Sequence, residues 1–187
     1  TRYLINMLRK LVSLLSFFKP IPVEETINIP GYLGTWYQVA TSRSTKFLGT
    51  GIDYRNVTAI YDLSVNENLG KDVITVFNYG FDGNGNYTSI KGYSYTTGNQ
   101  PTKRKLHFDG VPIDGNYWIV YLGPIKKDQY QYAIVSGAIS TWFGTRFSLY
   151  VLARNVNEYK TLYEKDVKKW CNDNGFIYFW NEYVSTI

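Results

Sequence analysis

The chain has 187 residues, 44% of them hydrophobic, which is enough for one domain with a sizeable core and too apolar for a disordered chain. Its aromatic content of 18% is mostly 18 tyrosines, a bias that fits pleated, half-buried strands. The net charge of +5 is dispersed, with short clusters only at Lys103-Arg104-Lys105, Lys126-Lys127 and Lys168-Lys169. No arginine-rich tract or nucleic-acid module accompanies them, so nucleic acid is not an expected partner.

Residues 1–22 form a first unit. On a helix, Tyr3, Leu4, Ile5, Met7, Leu8, Leu11, Val12, Leu14, Leu15 and Phe18 share one broad face. Asn6, Arg9, Lys10, Ser13 and Ser16 share the other, which predicts an amphipathic helix with a basic polar side. It is too short to span a bilayer, which takes about 20 apolar residues. Three readings stay open: a signal segment starting at Met7, an interfacial helix lying on a membrane, or a helix docked on the protein itself or on a second copy. Lys19-Pro20-Ile21-Pro22-Val23 then reads as an extended linker into a domain covering 23–187, because proline stops the helix.

From Pro30 the pattern becomes short strands and turns. Strands are predicted at Thr35–Ala40, Asn56–Val65, Asp72–Phe81, Tyr87–Thr97, Lys103–Asp109, Asn116–Leu122, Tyr130–Gly137 and Arg146–Arg154. In the second, Val57, Ala59, Tyr61 and Leu63 alternate with Thr58, Ile60, Asp62 and Ser64. Asp82-Gly83-Asn84-Gly85-Asn86 is a hairpin signal. Eight evenly spaced antiparallel strands predict an all-β fold, an up-and-down barrel whose closure removes exposed edges and leaves room for one small ligand. After Asn155 the period turns helical, with Asn157 as a candidate N-cap and Gly175 as the stop, followed by a short strand at Phe176–Trp180.

Gly34-Thr35-Trp36-Tyr37 at the first strand resembles the first lipocalin motif, Gly-x-Trp. Asp128 with Tyr130–Gly137 resembles the second, and Leu149–Arg154, ending on an arginine, the third. Three motifs in order, with a helix after them, are similar to the lipocalin family over about residues 28–182. Within it, the resemblance is closest to the bacterial lipocalin and apolipoprotein D type. The resemblance implies a lipocalin calyx with a C-terminal α-helix. It assigns Gly34, Trp36, Asp128, Tyr130 and Arg154 to the structural motif, with Arg154 stacked on the Trp36 indole at the closed end. It also implies a fatty acid or lysophospholipid in the interior, carried or stored. A tyrosine-rich cup offers Tyr61, Tyr79, Tyr93, Tyr95, Phe108, Tyr117, Ile119 and Tyr132 as ligand-binding candidates; period-2 alternation fixes their relative faces but not which face is inward. Lys91 or Arg104 is a candidate partner for a carboxylate head, with a solvated surface role as the plainer reading.

No Gly-x-Ser-x-Gly, His–Asp pairing or phosphate loop appears, so no catalytic residue, cofactor or metal is expected. His107, the one histidine, reads as an ordinary barrel residue, and Cys171, the one cysteine, as an inert packed thiol that excludes any intrachain disulfide. A first alternative is an interaction or structural protein using the loops Phe47–Asp53 and Gly137–Gly144, the latter tipped by Trp142-Phe143, with the N-terminal helix as a membrane contact. A second is a lipid- or isoprenoid-modifying enzyme with an acid–base pair inside the cup. The expected location is secreted, periplasmic or membrane-associated; the sequons at Asn56 and Asn86 matter only in a eukaryotic secretory pathway. Oligomeric state is not legible.

Overall fold

The computed structural model describes residues 21–46, 54–137, 148–177 and 181–187. The helix expected at 3–18, the loop Phe47–Asp53, Trp142-Phe143 and residues 178–180 lie outside the described residues.

A short helix α1 (Ile29–Tyr32) leads into strand β1 (Gly34–Ser42). Then follow β2 (Arg55–Asn66), β3 (Lys71–Phe81), β4 (Tyr87–Thr96), β5 (Lys103–Phe108) and β6 (Gly115–Leu122). A small hairpin, β7 (Ile125–Lys126) and β8 (Gln129–Tyr130), precedes β9 (Tyr132–Ser136), β10 (Leu149–Ala153) and a last strand β11 (Tyr183–Ser185). The sheet runs β10-β9-β6-β5-β4-β3-β2-β1, all antiparallel, and closes because β10 also pairs with β1. Eight strands therefore form a complete barrel with no free edge in that ring.

Alternation sorts the side chains. Trp36, Ala59, Tyr61, Ile74, Val76, Tyr117, Ile119, Ala133, Val135 and Leu152 build the inner core. Val39, Val120, Tyr132, Ile134, Leu149, Val151 and Ala153 form a second apolar layer on the outside of one wall. Bulges between Gln38 and Ala40 and between Ile119 and Tyr121 shift the register where the strands bend. Leu63 shares the inner face with Tyr61, but Tyr61 pairs with Gly34, the first residue of β1, so Leu63 lies beyond that strand and is exposed.

The C-terminal helix covers the outer layer. It consists of α2 (Val156–Glu158), a π turn at Tyr159–Tyr163 and α3 (Glu164–Asp173). Its N-cap is Asn155, whose side chain accepts from the Glu158 amide, and not Asn157: the cap must be the extended residue just before the first turn. Tyr159, Val167 and Cys171 are buried against the barrel wall at spacings of eight and four. Four residues overshoot a 3.6-residue turn by about 40°, and the wider π turn takes up part of that drift. Gly175 (φ 73°) ends the helix, and the Phe176 amide reaches back to the Cys171 carbonyl while its ring stacks on Trp170. Phe176 is thus a helix cap, and neither it nor Ile177 is in a strand, while the rest of the strand expected at Phe176–Trp180 lies outside the described residues; among the described residues the last strand falls at Tyr183–Ser185, where it adds to β1.

Candidate functional site: the barrel cavity and its closed end

The closed end is built from the motif residues. Gly34 starts β1 at φ 93°, which carries the chain from α1 into the barrel. Trp36 is fully buried and donates from its indole N–H to the Tyr32 carbonyl (2.8 Å). The Arg154 guanidinium lies 3.7 Å from the Trp36 ring centroid. It donates to the carbonyls of Thr35 (2.6 Å), Leu33 (2.7 Å), Gly31 (3.2 Å) and Tyr130 (3.3 Å), tying α1, β1 and β8 together. Burial pulls its pKa down to about 10, so it stays charged at neutral pH. Asp128 and Lys127, both at positive φ, make the two-residue turn between β7 and β8, and the Tyr130 hydroxyl accepts from the Asn28 amide (3.0 Å).

Above this plug lies a cavity of about 440 Å³, within the size range of small-molecule sites. Its walls come from the opposite half of each strand: Val57, Ala59 and Tyr61 from β2, Ile90 from β4, Leu106 and Phe108 from β5, Tyr117 from β6, Val135 from β9, Tyr150 and Leu152 from β10. Gln38, Thr41, Asn78, Asn116 and Ser148 add polar points. No Asp, Glu, Lys, Arg, His or Cys lines it among the described residues.

The floor is a layer of tyrosines. Tyr61 stacks on Tyr32 at 5.7 Å and meets Tyr117 edge-on at 6.4 Å. Their hydroxyls form a chain, Tyr32 to Tyr117 at 2.6 Å and Tyr117 donating to Tyr61 at 3.1 Å. Burial raises the pKa of all three, that of Tyr61 to about 12, so each keeps its proton. Arg104, paired with Tyr117 across β5 and β6, is 6% exposed. It donates to the Ser94 hydroxyl (2.9 Å), the Ser94 carbonyl (2.8 Å) and the Pro101 carbonyl (3.4 Å).

Of the eight expected ligand-binding residues, Tyr61, Phe108 and Tyr117 line the cavity with inward side chains. Tyr79 borders it from β3, but its ring belongs to an outer row with Phe77 and Tyr87, because Asn78 holds the inward position opposite Ala59. Ile119 is fully buried in the inner core. Tyr93, Tyr95 and Tyr132 are not brought to the cavity. Tyr93 and Tyr95 take the outer face of β4, where Tyr93 lies 4.9 Å from His107 and the Tyr95 hydroxyl donates to Asp114 (2.5 Å). Tyr132 is in the outer layer beneath Tyr159 and Tyr163. Each is one residue out of phase with the inward set, and alternation reverses the face at every step. Asn78, Tyr150 and Leu152 were missed; Asn78 had a signal, as a polar residue in phase with Ile74 and Val76.

His107 lies on the outer face, its Nδ1 2.8 Å from Asp114 Oδ1. Lys91 also points outward, over the Phe77 ring. Cys171 is fully buried under the C-terminal helix, away from the cavity lining, and burial lifts its thiol to about 12. Among the described residues no group of three or more His, Cys, Asp or Glu converges as a metal site.

The family model of the lipocalin-like domain matches residues 27–178, and the chain belongs to that family. Temperature-induced lipocalin-1 of Arabidopsis thaliana is 27% identical over 163 residues, 81% of this chain and 77% of that protein. Among solved structures, apocrustacyanin C1 superposes with a TM-score of 0.62 at 17% identity, over 96% of this chain and 84% of its own. H1 crustacyanin from the lobster Homarus americanus gives 0.61 at 18%, over 88% and 81%. These structural likenesses bear on the fold alone. A lipocalin barrel suits the binding of small hydrophobic ligands, and members of the family are typically binding proteins and not enzymes, often secreted. No helix among the described residues is long and apolar enough to cross a membrane.

Proposed function

We propose that the protein carries or stores a single-chain lipid, a fatty acid or lysophospholipid, in the barrel interior. The observation that supports this reading most is the cavity: about 440 Å³, walled by aliphatic and aromatic side chains, with a few neutral polar points and no charged lining group among the described residues. Burying an acyl chain there gains about 0.8 kcal/mol per methylene. The proposed contacts are Tyr61, Phe108 and Tyr117, together with Ile90, Leu106, Tyr150 and Leu152. A carrier of this kind works where lipid passes between membranes, in a secreted or periplasmic setting or held at a membrane surface through residues 3–18.

Native mass spectrometry of the purified chain before and after delipidation tests this. The expected result is a stoichiometric adduct of a few hundred daltons that extraction removes and that fatty acid restores. A chain that emerges empty and takes up no fluorescent fatty acid overturns the reading.

A further inference from the structure

The hydroxyl chain on the cavity floor has one proton left over. Three tyrosines bring three O–H donors. Tyr117 spends its only proton on Tyr61. The 2.6 Å contact between Tyr32 and Tyr117 must then be donated by Tyr32. Tyr61 accepts and has no recorded acceptor of its own, although it is 4% exposed and lines the cavity. A buried donor without an acceptor is costly, and structures rarely leave one so. One layer nearer the mouth, the Asn78 side-chain oxygen is also buried without a partner. Turning that amide presents its NH₂ instead, since the two orientations are nearly isosteric.

The surroundings select the sign of the missing group. Arg104 and Arg154 lie at the closed end, and both act electrostatically on Tyr32. Their recorded hydrogen bonds go only to neutral oxygens, those of Ser94 and Pro101 for Arg104 and backbone carbonyls for Arg154. The buried guanidinium of Arg104 and the half-buried one of Arg154, neither hydrogen-bonded to a carboxylate, leave a positive field behind the tyrosine layer. An anionic oxygen acceptor on Tyr61 would complete the hydroxyl chain and meet that field.

We propose that the ligand enters polar end first and seats a carboxylate on the Tyr61 hydroxyl, with its chain running back along Leu106 and Phe108 toward the mouth. This rests on the lipid-carrier reading and narrows it. The ligand class is a single-chain carboxylic acid, and a lysophospholipid, whose head group is far bulkier than the floor site, is disfavoured.

The test uses the full chain and three probes: 11-(dansylamino)undecanoic acid, labelled at the end remote from its carboxylate, its methyl ester, and lysophosphatidylcholine as competitor. The acid is expected to bind about tenfold or more tighter than the ester, the ratio of a charge-assisted hydrogen bond. Tyr61→Phe keeps the ring on Tyr32 and should lose most of that ratio, the acid losing more affinity than the ester. Lysophosphatidylcholine should displace the acid poorly. Equal affinity for acid and ester overturns head-first seating while leaving lipid carriage intact, and that comparison needs no variant to fold. Efficient displacement by lysophosphatidylcholine overturns the ligand class. No binding of either dansyl probe overturns both readings.

Discussion

Arg154 meets five groups at once: the Trp36 ring and four backbone carbonyls from three separate segments. The four bonds pin separate stretches of backbone to one side chain, which acts as a polar rivet with the indole as its washer. Arg154→Ala should lower Tm by about 5 °C, and Trp36→Ala, which also empties a large buried volume, by about 10 °C or more; calorimetry on both variants checks this, and unchanged melting in either would contradict the assignment. These two residues were legible because a tryptophan after Gly-x and an arginine ending the last long strand form a pattern that survives in sequence. The tyrosines were not. Tyr93, Tyr95, Tyr117 and Tyr132 all look alike in the sequence, yet only Tyr117 turns inward. The difference is a phase of one residue, and nothing local sets that phase; the bulges at Gln38/Ala40 and Ile119/Tyr121 change it partway along a strand.

At the level of elements, strand positions follow from alternation and turn residues, and the eight expected strands correspond to the eight of the ring. The ends are harder. Asn155 and Asn157 are equally good caps by composition, and what decides is which one stays extended, at φ −137° and ψ 119° for Asn155. A tie at the rim was invisible to sequence: Asp114, in the loop between β5 and β6, accepts from Tyr95 on β4 and faces His107 on β5. The Tyr95 hydrogen bond, and next that of His107, hold the Asp114 carboxyl below its ordinary value of 3.8. A lowered acid contributes stability above the unfolded pKa and loses it as pH falls through the folded one. Asp114→Asn should therefore reduce Tm modestly at neutral pH, by at most about 2–4 °C for so exposed a tie. The gap between variant and wild type should close below pH 4 as the wild-type carboxyl protonates; a gap that persists there would show that the tie does not depend on charge.

For the whole molecule, closure of the ring was readable from strand count, because eight strands with no closure would leave two long edges. What strand count does not reveal is how evenly the wall is sewn. β1 pairs with β2 only from Gly34 to Tyr37, and beyond that its neighbour is β11, at Ala40–Ser42. Thr186 bridges what remains: its amide donates to the Val39 carbonyl (3.1 Å), its hydroxyl to the Gln38 carbonyl (2.8 Å), and its own carbonyl receives the Asn56 amide (3.4 Å). Along this line the wall of the cup is a wedge of chain from the far end of the sequence: the three hydrogen bonds of Thr186 fill the gap between the short β1–β2 ladder and the three-residue β1–β11 pairing. Such a wedge is a side hatch as well as a stave. Thr186→Pro removes two of the three bonds and should quicken release of a bound acid several-fold in stopped-flow exchange, with melting little changed; equal release rates would mean that cargo leaves only through the open rim.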